Sequence, residues 1–303
     1  MKIEDIKKVL IVGAGNMGQQ IGTLCAIHGY EVVLYDINQD ILEGALERVK
    51  KLFKFFVRSS KITLEEVEEA ISRIKITTNE QTAAANADII SESVPEDPDL
   101  KGKIFSLFNT LCPGHTIFTT NSSVLVPSMF ADRTGRPEKL AALHFHDVRT
   151  TDIVDVMAHP GTSEETFHIV CEFAIKIGQV PIVLTKENSG YVFNFMLTAL
   201  FQSAQTLAVN KVTSIEEIDR AWMGVTHMSI GPFGIMDSIG IDTVWHVTDH
   251  WANKLKDKQG KKNALFLKEY VDKGQLGQKS KQGFYSYPNP TFQESDFIGR
   301  AVK

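Results

Sequence analysis

Two groups of residues in this chain have types and spacings that point to chemistry. The first is Gly13-Ala14-Gly15-Asn16-Met17-Gly18, with Asp36 eighteen positions beyond the last glycine. The string follows an apolar run at residues 9–12 and opens a segment with helical spacing at 19–27. In that strand-to-helix setting a G-x-G-x-x-G string is a phosphate cradle. Gly13 permits the tight turn, Gly15 lets a pyrophosphate approach the backbone, and Gly18 allows close packing of helix on strand. The helix N-terminus then supplies free N–H groups to the anion. Asp36, at the end of the next strand-like run, suits the hydroxyls of an unmodified ribose and would repel a 2′-phosphate. The expected cofactor is therefore NAD rather than NADP.

The second group is His144, His146 and Asp147. An imidazole can take up and return a proton near neutral pH, and His144 ends an apolar run at 141–143, the strand end where open α/β sheets bind ligands. Two imidazoles and a carboxylate also form an ordinary zinc or iron ligand set. They can do so here only if the strand continues past His144, so that alternate residues share a face. Proton transfer is the expectation, with no metal. Asp242, His246 and His250 recur at helical spacing and read as a polar helix face.

The elements that must position these residues follow from periodicity. Short apolar runs at 74–76, 89–90, 116–119, 141–143 and 182–184 alternate with helical stretches such as 99–111. The pattern implies a Rossmann-type, doubly wound, largely parallel sheet. Residues of about 40–75 read as a helical arm, its second helix announced by Thr63 and Glu66. Beyond Gly190 the stretches 191–209, 214–222, 232–253 and 263–273 read as helices. The expected organisation is an NAD-binding domain over 1–188 and an all-helical domain over 189–303, with the substrate in a cleft between them.

Composition narrows the class. The 303 residues are 43% hydrophobic and 23% charged, with a net charge of -5, which gives no global attraction to nucleic acid or an anionic membrane. Three cysteines without Cys-x-x-Cys spacing suggest neither a disulfide framework nor a zinc cluster. The charged start, residues 1–8, leaves no room for a secretory apolar segment, so a cytoplasmic setting is expected.

From Glu92-Ser93-Val94-Pro95-Glu96-Asp97 and Asn121-Ser122-Ser123 onward, the chain resembles the 3-hydroxyacyl-CoA dehydrogenase family. The resemblance runs nearly end to end, through His144-Phe145, Ser189-Gly190-Tyr191-Val192-Phe193-Asn194, Ile230-Gly231-Pro232-Phe233 and Gly283-Phe284-Tyr285. It implies hydride transfer between nicotinamide and C3 of a short-chain 3-hydroxyacyl thioester such as 3-hydroxybutyryl-CoA, in fatty acid metabolism, in a homodimer built through the helical domain. It further implies His144 as acid/base, Asp155 as its carboxylate partner where the family has glutamate, and Ser123 and Asn194 beside the substrate. On the cofactor side it adds Glu96, Lys101 and Asn121 to Gly13, Gly15, Asn16, Met17, Gly18 and Asp36. The family's arm contacts coenzyme A, which suits Lys50, Lys51, Lys54, Arg58 and Lys61 here. The chain departs from the family after the histidine, where Phe-Asn-Pro becomes Phe145-His146-Asp147, and the stretch to the carboxylate is one residue shorter. That departure opens two other readings, a dehydrogenase of a free hydroxy acid or sugar acid, and a non-catalytic NAD-binding protein.

Overall fold

The structure is a computed structural model and describes residues 1–299. The chain divides into two compact units, Met1–Phe193 and Asn194–Lys303. The first alternates strands and helices: β1 (Lys8–Val12), α1 (Asn16–Ile27), β2 (Glu31–Tyr35), α2 (Gln39–Arg58), α3 (Leu64–Ser72), β3 (Ile74–Thr77), α4 (Glu80–Ala84), β4 (Ile89–Glu92), α5 (Pro98–Leu111), β5 (Ile117–Thr120), β6 (Leu140–Phe145), β7 (Ile153–Ala158), α6 (Glu164–Lys176) and β8 (Val180–Leu184). They form one sheet in the order β3-β2-β1-β4-β5-β6-β7-β8. Every neighbouring pair is parallel except β6 and β7, which run antiparallel.

Alternation of side chains across the sheet explains why its strands read as unbroken apolar runs. Val9 and Ile11 of β1 enter one core with Leu143 and Val156, while Leu10 and Val12 enter the opposite core with Phe105, Phe108 and Phe118. The arm belongs to the first core: Leu42, Ala45, Val49, Phe53 and Phe56 recur at helical spacing and are buried. Lys50, Lys51, Lys54 and Arg58 lie on its exposed face. Glu66 accepts from the Thr63 backbone N–H and hydroxyl, so the expected cap at the start of α3 is present.

Two elements differ from the expectation. β7 carries no alternation that separates it from a loop, and its strand character comes from pairing on both sides. The run 232–253 is two helices, because Gly240 takes φ +106° between them.

The second unit comprises α7 (Phe193–Val209), α8 (Ile215–Thr226), α9 (Pro232–Ile239), α10 (Ile241–Lys254) and α11 (Lys258–Asp272). Its core is tied by two buried carboxylates. Asp219 on α8 accepts from the Phe233 and Gly234 N–H groups at the start of α9 and from the Tyr285 hydroxyl, at 2.9–3.0 Å. Asp237 on α9 accepts from the Phe284 and Tyr285 N–H groups and the Tyr287 hydroxyl. Burial pushes the Asp219 carboxyl up to about 6, against the pull of its donors.

Asp219→Ala strips three buried donors of their acceptor. It is expected to cost about 3–5 kcal/mol, at roughly 1–3 kcal/mol per orphaned group less relaxation. Urea unfolding followed by tryptophan fluorescence checks this, and a loss below about 1 kcal/mol would contradict the role.

Candidate active site

The glycine string forms the turn from β1 into α1. Gly13 holds φ +100°, and a Cβ there would lie 2.7 Å from the Ser93 carbonyl oxygen. At Gly18 a Cβ would lie 1.9 Å from the Gly13 carbonyl oxygen, so helix and turn touch backbone to backbone. Gly15 differs, since a Cβ there meets nothing within 4 Å. The fold therefore does not need glycine at 15, whereas a diphosphate laid on the backbone does. Gly15 is also the N-cap of α1 and supplies no side-chain cap, which leaves the first-turn N–H groups for an anion. Asp36, just past β2, accepts from the Ala14 N–H at 3.0 Å, which places its carboxylate against the loop. Asn16 is exposed and Met17 packs partly on the first core.

The strands beside β1 end in a polar network. Glu92, the last residue of β4, is fully buried and accepts from Lys101 Nζ at 2.6 Å, the Val94 N–H and the Thr120 hydroxyl. Lys101 is also fully buried and donates to the Val94 carbonyl at 3.1 Å, with Glu96 3.6 Å away. Its ammonium is thus held inside the loop rather than on an open wall. Glu96 accepts from the Ser122 hydroxyl and from both the N–H and hydroxyl of Ser123. Asn121 Oδ1 accepts from the Phe145 N–H, tying the end of β5 to the end of β6.

His144 lies across that tie. The antiparallel register of β6 and β7 sets it directly opposite Asp155, and its Nδ1 meets Asp155 Oδ2 at 3.0 Å. Cross-strand neighbours need little side-chain reach, so aspartate suffices. The ring stacks flat on Tyr191, with centroids 4.5 Å apart and planes 6° apart. Tyr191 is buried at φ +52°, and its hydroxyl donates to the Ser122 carbonyl. β6 ends at Phe145, yet His146 turns back to the same oxygen, Nε2 to Asp155 Oδ2 at 3.1 Å, with its ring edge-on to His144.

Electrostatics fix the protonation. Burial alone would raise the Asp155 carboxyl, but the hydrogen bonds from His144 and His146 prevail and hold it below its ordinary value. An ionised carboxylate only accepts, so His144 carries its proton on Nδ1 and presents a bare Nε2. Burial lowers the His144 pKa below 6.5, against the hydrogen bond to Asp155, while Glu96 adds a negative charge that favours the cation.

Among the described residues, His144, His146 and Asp155 form a group whose possible ligand atoms converge within 4.8 Å. The sequence had grouped Asp147 with the two histidines. In the structure Asp147 is instead clamped by the Arg149 side chain, which occupies that guanidinium within its own loop. Asp242 pairs with Lys279. Asn194 is the second residue of α7 and opens the second unit. Sequence reasoning missed Glu92 as the anchor of Lys101 and Tyr191 as the plate under the imidazole. An acid ending a strand opened by two isoleucines was the available signal for the first, and none marked the second.

Residues 8–188 match the 3-hydroxyacyl-CoA dehydrogenase, NAD binding domain, and residues 190–287 match the 3-hydroxyacyl-CoA dehydrogenase, C-terminal domain. The chain belongs to the 3-hydroxyacyl-CoA dehydrogenase family. It is 33% identical to a probable 3-hydroxybutyryl-CoA dehydrogenase of Bacillus subtilis, over 95% of this chain and 99% of that one. It is 30% identical to the mitochondrial hydroxyacyl-coenzyme A dehydrogenase of Homo sapiens, over 93% and 91%. Among solved structures it is similar to a diketoreductase described in dual catalysis of dicarbonyl compounds, with TM-score 0.85 and 37% identity over 93% of this chain and 99% of that one. An (S)-3-hydroxybutyryl-CoA dehydrogenase from Ralstonia eutropha gives TM-score 0.83 and 29% identity over 94% and 100%. The protein is an NAD-dependent oxidoreductase acting on a CH–OH group. Among the described residues no helix is long and apolar enough to cross a membrane.

The second and third glycines of the string separate ligand from fold. Gly15→Ala is expected to leave thermal stability unchanged and weaken NADH binding by about tenfold or more, because the new methyl meets only the diphosphate. Gly18→Ala, driven into the Gly13 carbonyl, is expected to lower the melting temperature instead. NADH fluorescence titration and a melting curve on both variants check the pair.

Proposed function

We propose that this dehydrogenase interconverts a short-chain (S)-3-hydroxyacyl-CoA and its 3-ketone, with His144 as the general acid/base. The observation that carries the proposal is the His144–Asp155 pair at the end of β6. β1, β4, β5 and β6 run parallel, so this pair opens on the same sheet edge as the glycine loop after β1. NAD, held at Gly13, Gly15, Asn16, Met17, Gly18 and Asp36, supplies the hydride acceptor. The protein's own part is proton handling and positioning.

His144 Nε2 takes the C3 hydroxyl proton as C3 gives up its hydride, and returns a proton in the reverse direction. Asp155 keeps Nδ1 protonated throughout and steadies the imidazolium, as the carboxylate of a triad does. The stacked Tyr191 fixes the ring plane. Ser123 and Asn194 are assigned to the substrate oxygen. Glu96, itself anchored by Ser122 and Ser123, is assigned to the cofactor side with Asn121. Lys101 acts by holding the loop that carries Glu96. The exposed cations of α2 are assigned to the phosphates of coenzyme A. A homodimer belongs to the same proposal, supported by Phe195 and Met196, which α7 leaves more than half exposed.

A second reading, reduction of a free dicarbonyl or keto acid, is favoured by the 37% identity to the diketoreductase and by the altered loop after His144. Following NADH absorbance with acetoacetyl-CoA and with a panel of free keto acids separates the two. Oxidation of NADH by the thioester alone supports the first reading, and oxidation by free acids alone supports the second.

His144→Ala is expected to lower kcat/KM by about 10³ or more while NADH still binds, since general acid–base catalysis contributes ~10²–10⁴. Turnover near the parent rate would sink the assignment. The pH profile carries a sign. Oxidation needs the neutral imidazole, and burial lowers its pKa, so kcat/KM for oxidation should hold down to below pH 6.5 before falling on the acid side. A fall that begins near pH 8 would contradict a buried neutral base.

A further inference from the structure

The loop after His144 brings a second imidazole onto the carboxylate that serves the first. Asp155 Oδ2 receives His144 Nδ1 at 3.0 Å and His146 Nε2 at 3.1 Å, and each of the three residues brings a possible ligand atom within 4.8 Å of the others. Ligand atoms set tetrahedrally at the zinc distances of about 2.0–2.2 Å lie roughly 3.3–3.6 Å apart, so the two contacts to Asp155 Oδ2 are already close to that size. Swinging the two imidazole nitrogens toward each other around Oδ2 would close the set. The ring planes are already fixed: Tyr191 stacks on His144, and Phe193 lies edge-on to His146 at 5.7 Å. His144 and Asp155 are enclosed, with side chains 5% and 2% exposed, whereas His146 is 17% exposed and forms the side from which an ion enters.

We propose that His144 Nδ1, His146 Nε2 and Asp155 Oδ2 form a binding site for a divalent, zinc-class cation that switches the acid–base reaction off. The donor set selects the class. Two imidazole nitrogens favour zinc and its borderline-soft neighbours over magnesium or calcium, which take oxygen. Three protein ligands leave a fourth position for water.

The inhibition follows from proton bookkeeping. A neutral imidazole that ligates through Nδ1 has no proton there. The Nδ1 proton leaves to solvent, and Nε2 takes one up, with no net change in charge. Nε2 then presents an N–H where the reaction needs a lone pair, and His144 no longer accepts the hydroxyl proton. The inhibition rests on the acid–base role proposed above, whereas the binding does not.

The test uses the full-length protein, freed of metal with a chelator and then dialysed. Zinc chloride is titrated without substrate against a chromophoric chelator, and NADH oxidation is followed in parallel. The expected result is one zinc per chain, loss of turnover at the same zinc concentrations, and recovery with EDTA. His146→Asn should weaken zinc uptake at least about tenfold, the scale of losing a metal-site partner. It should also raise, by the same factor, the zinc concentration that halves the variant's own rate. His146→Phe serves if the Asn variant fails to fold, with circular dichroism and NADH fluorescence reporting folding for both. No stoichiometric uptake by the parent, or uptake unchanged in the folded variants, overturns the site. Uptake that depends on His146 in a protein inactive on every substrate upholds the site and overturns the acid–base reading. Normal turnover without zinc binding does the reverse.

Discussion

The antiparallel pairing of β6 with β7 is the constraint on which the candidate site rests. In a sheet that is otherwise parallel, this one reversal lets a strand carrying a histidine face a strand carrying a carboxylate at a register position. The two groups are fixed by the backbone ladder, not by long side chains seeking each other. Little rotamer entropy is then spent in holding the imidazole. Burial of both groups makes their hydrogen bond stronger than it would be in water and suppresses the charged form of the base until a proton arrives.

Around that pairing the strand ends are tied to each other by side chains rather than by further sheet. Asn121 links β5 to β6, Glu92 gathers Lys101 and Thr120, and Glu96 gathers Ser122 and Ser123. The Glu92–Lys101 pair is internally neutral and fully enclosed, so it rigidifies the loop without adding net charge. Glu96 is less enclosed and remains the negative charge that His144 senses. An imidazole that gains a proton during turnover gains it beside the Asp155 and Glu96 carboxylates, which offset part of the cost of its burial.

Much of this was legible in the sequence because it depends on local rules. The glycine turn, the position of Asp36 and the capped start of α3 follow from backbone sterics and short-range hydrogen bonds. The parallel character of the sheet around β1 follows from the alternation of strand and helix. What was not legible depends on tertiary register. Nothing in residues 153–158 marks that strand as antiparallel, and nothing in His146 signals that it turns back to Asp155 instead of pairing with its neighbour Asp147. Lys101 was assigned to the cofactor side by the family resemblance, and an exposed helical lysine and a buried one have the same neighbours in sequence. Only the burial of Glu92 beside it distinguishes them.

The two halves of the site differ in how far along the chain they reach. The β1–β4 pairing that frames the glycine loop joins Val9 to Ile89, whereas His144 and Asp155 are 11 positions apart. The short connection between them is anchored by Val148 in the first core and by the Asp152 carbonyl, which accepts from the Val180 N–H of β8. The entropic cost of a loop changes slowly with its length. Residues there can be gained or lost while the register of β6 and β7, and so the acid–base pair, is retained. Small insertions and deletions there can therefore remodel the surroundings of the base without rebuilding the fold.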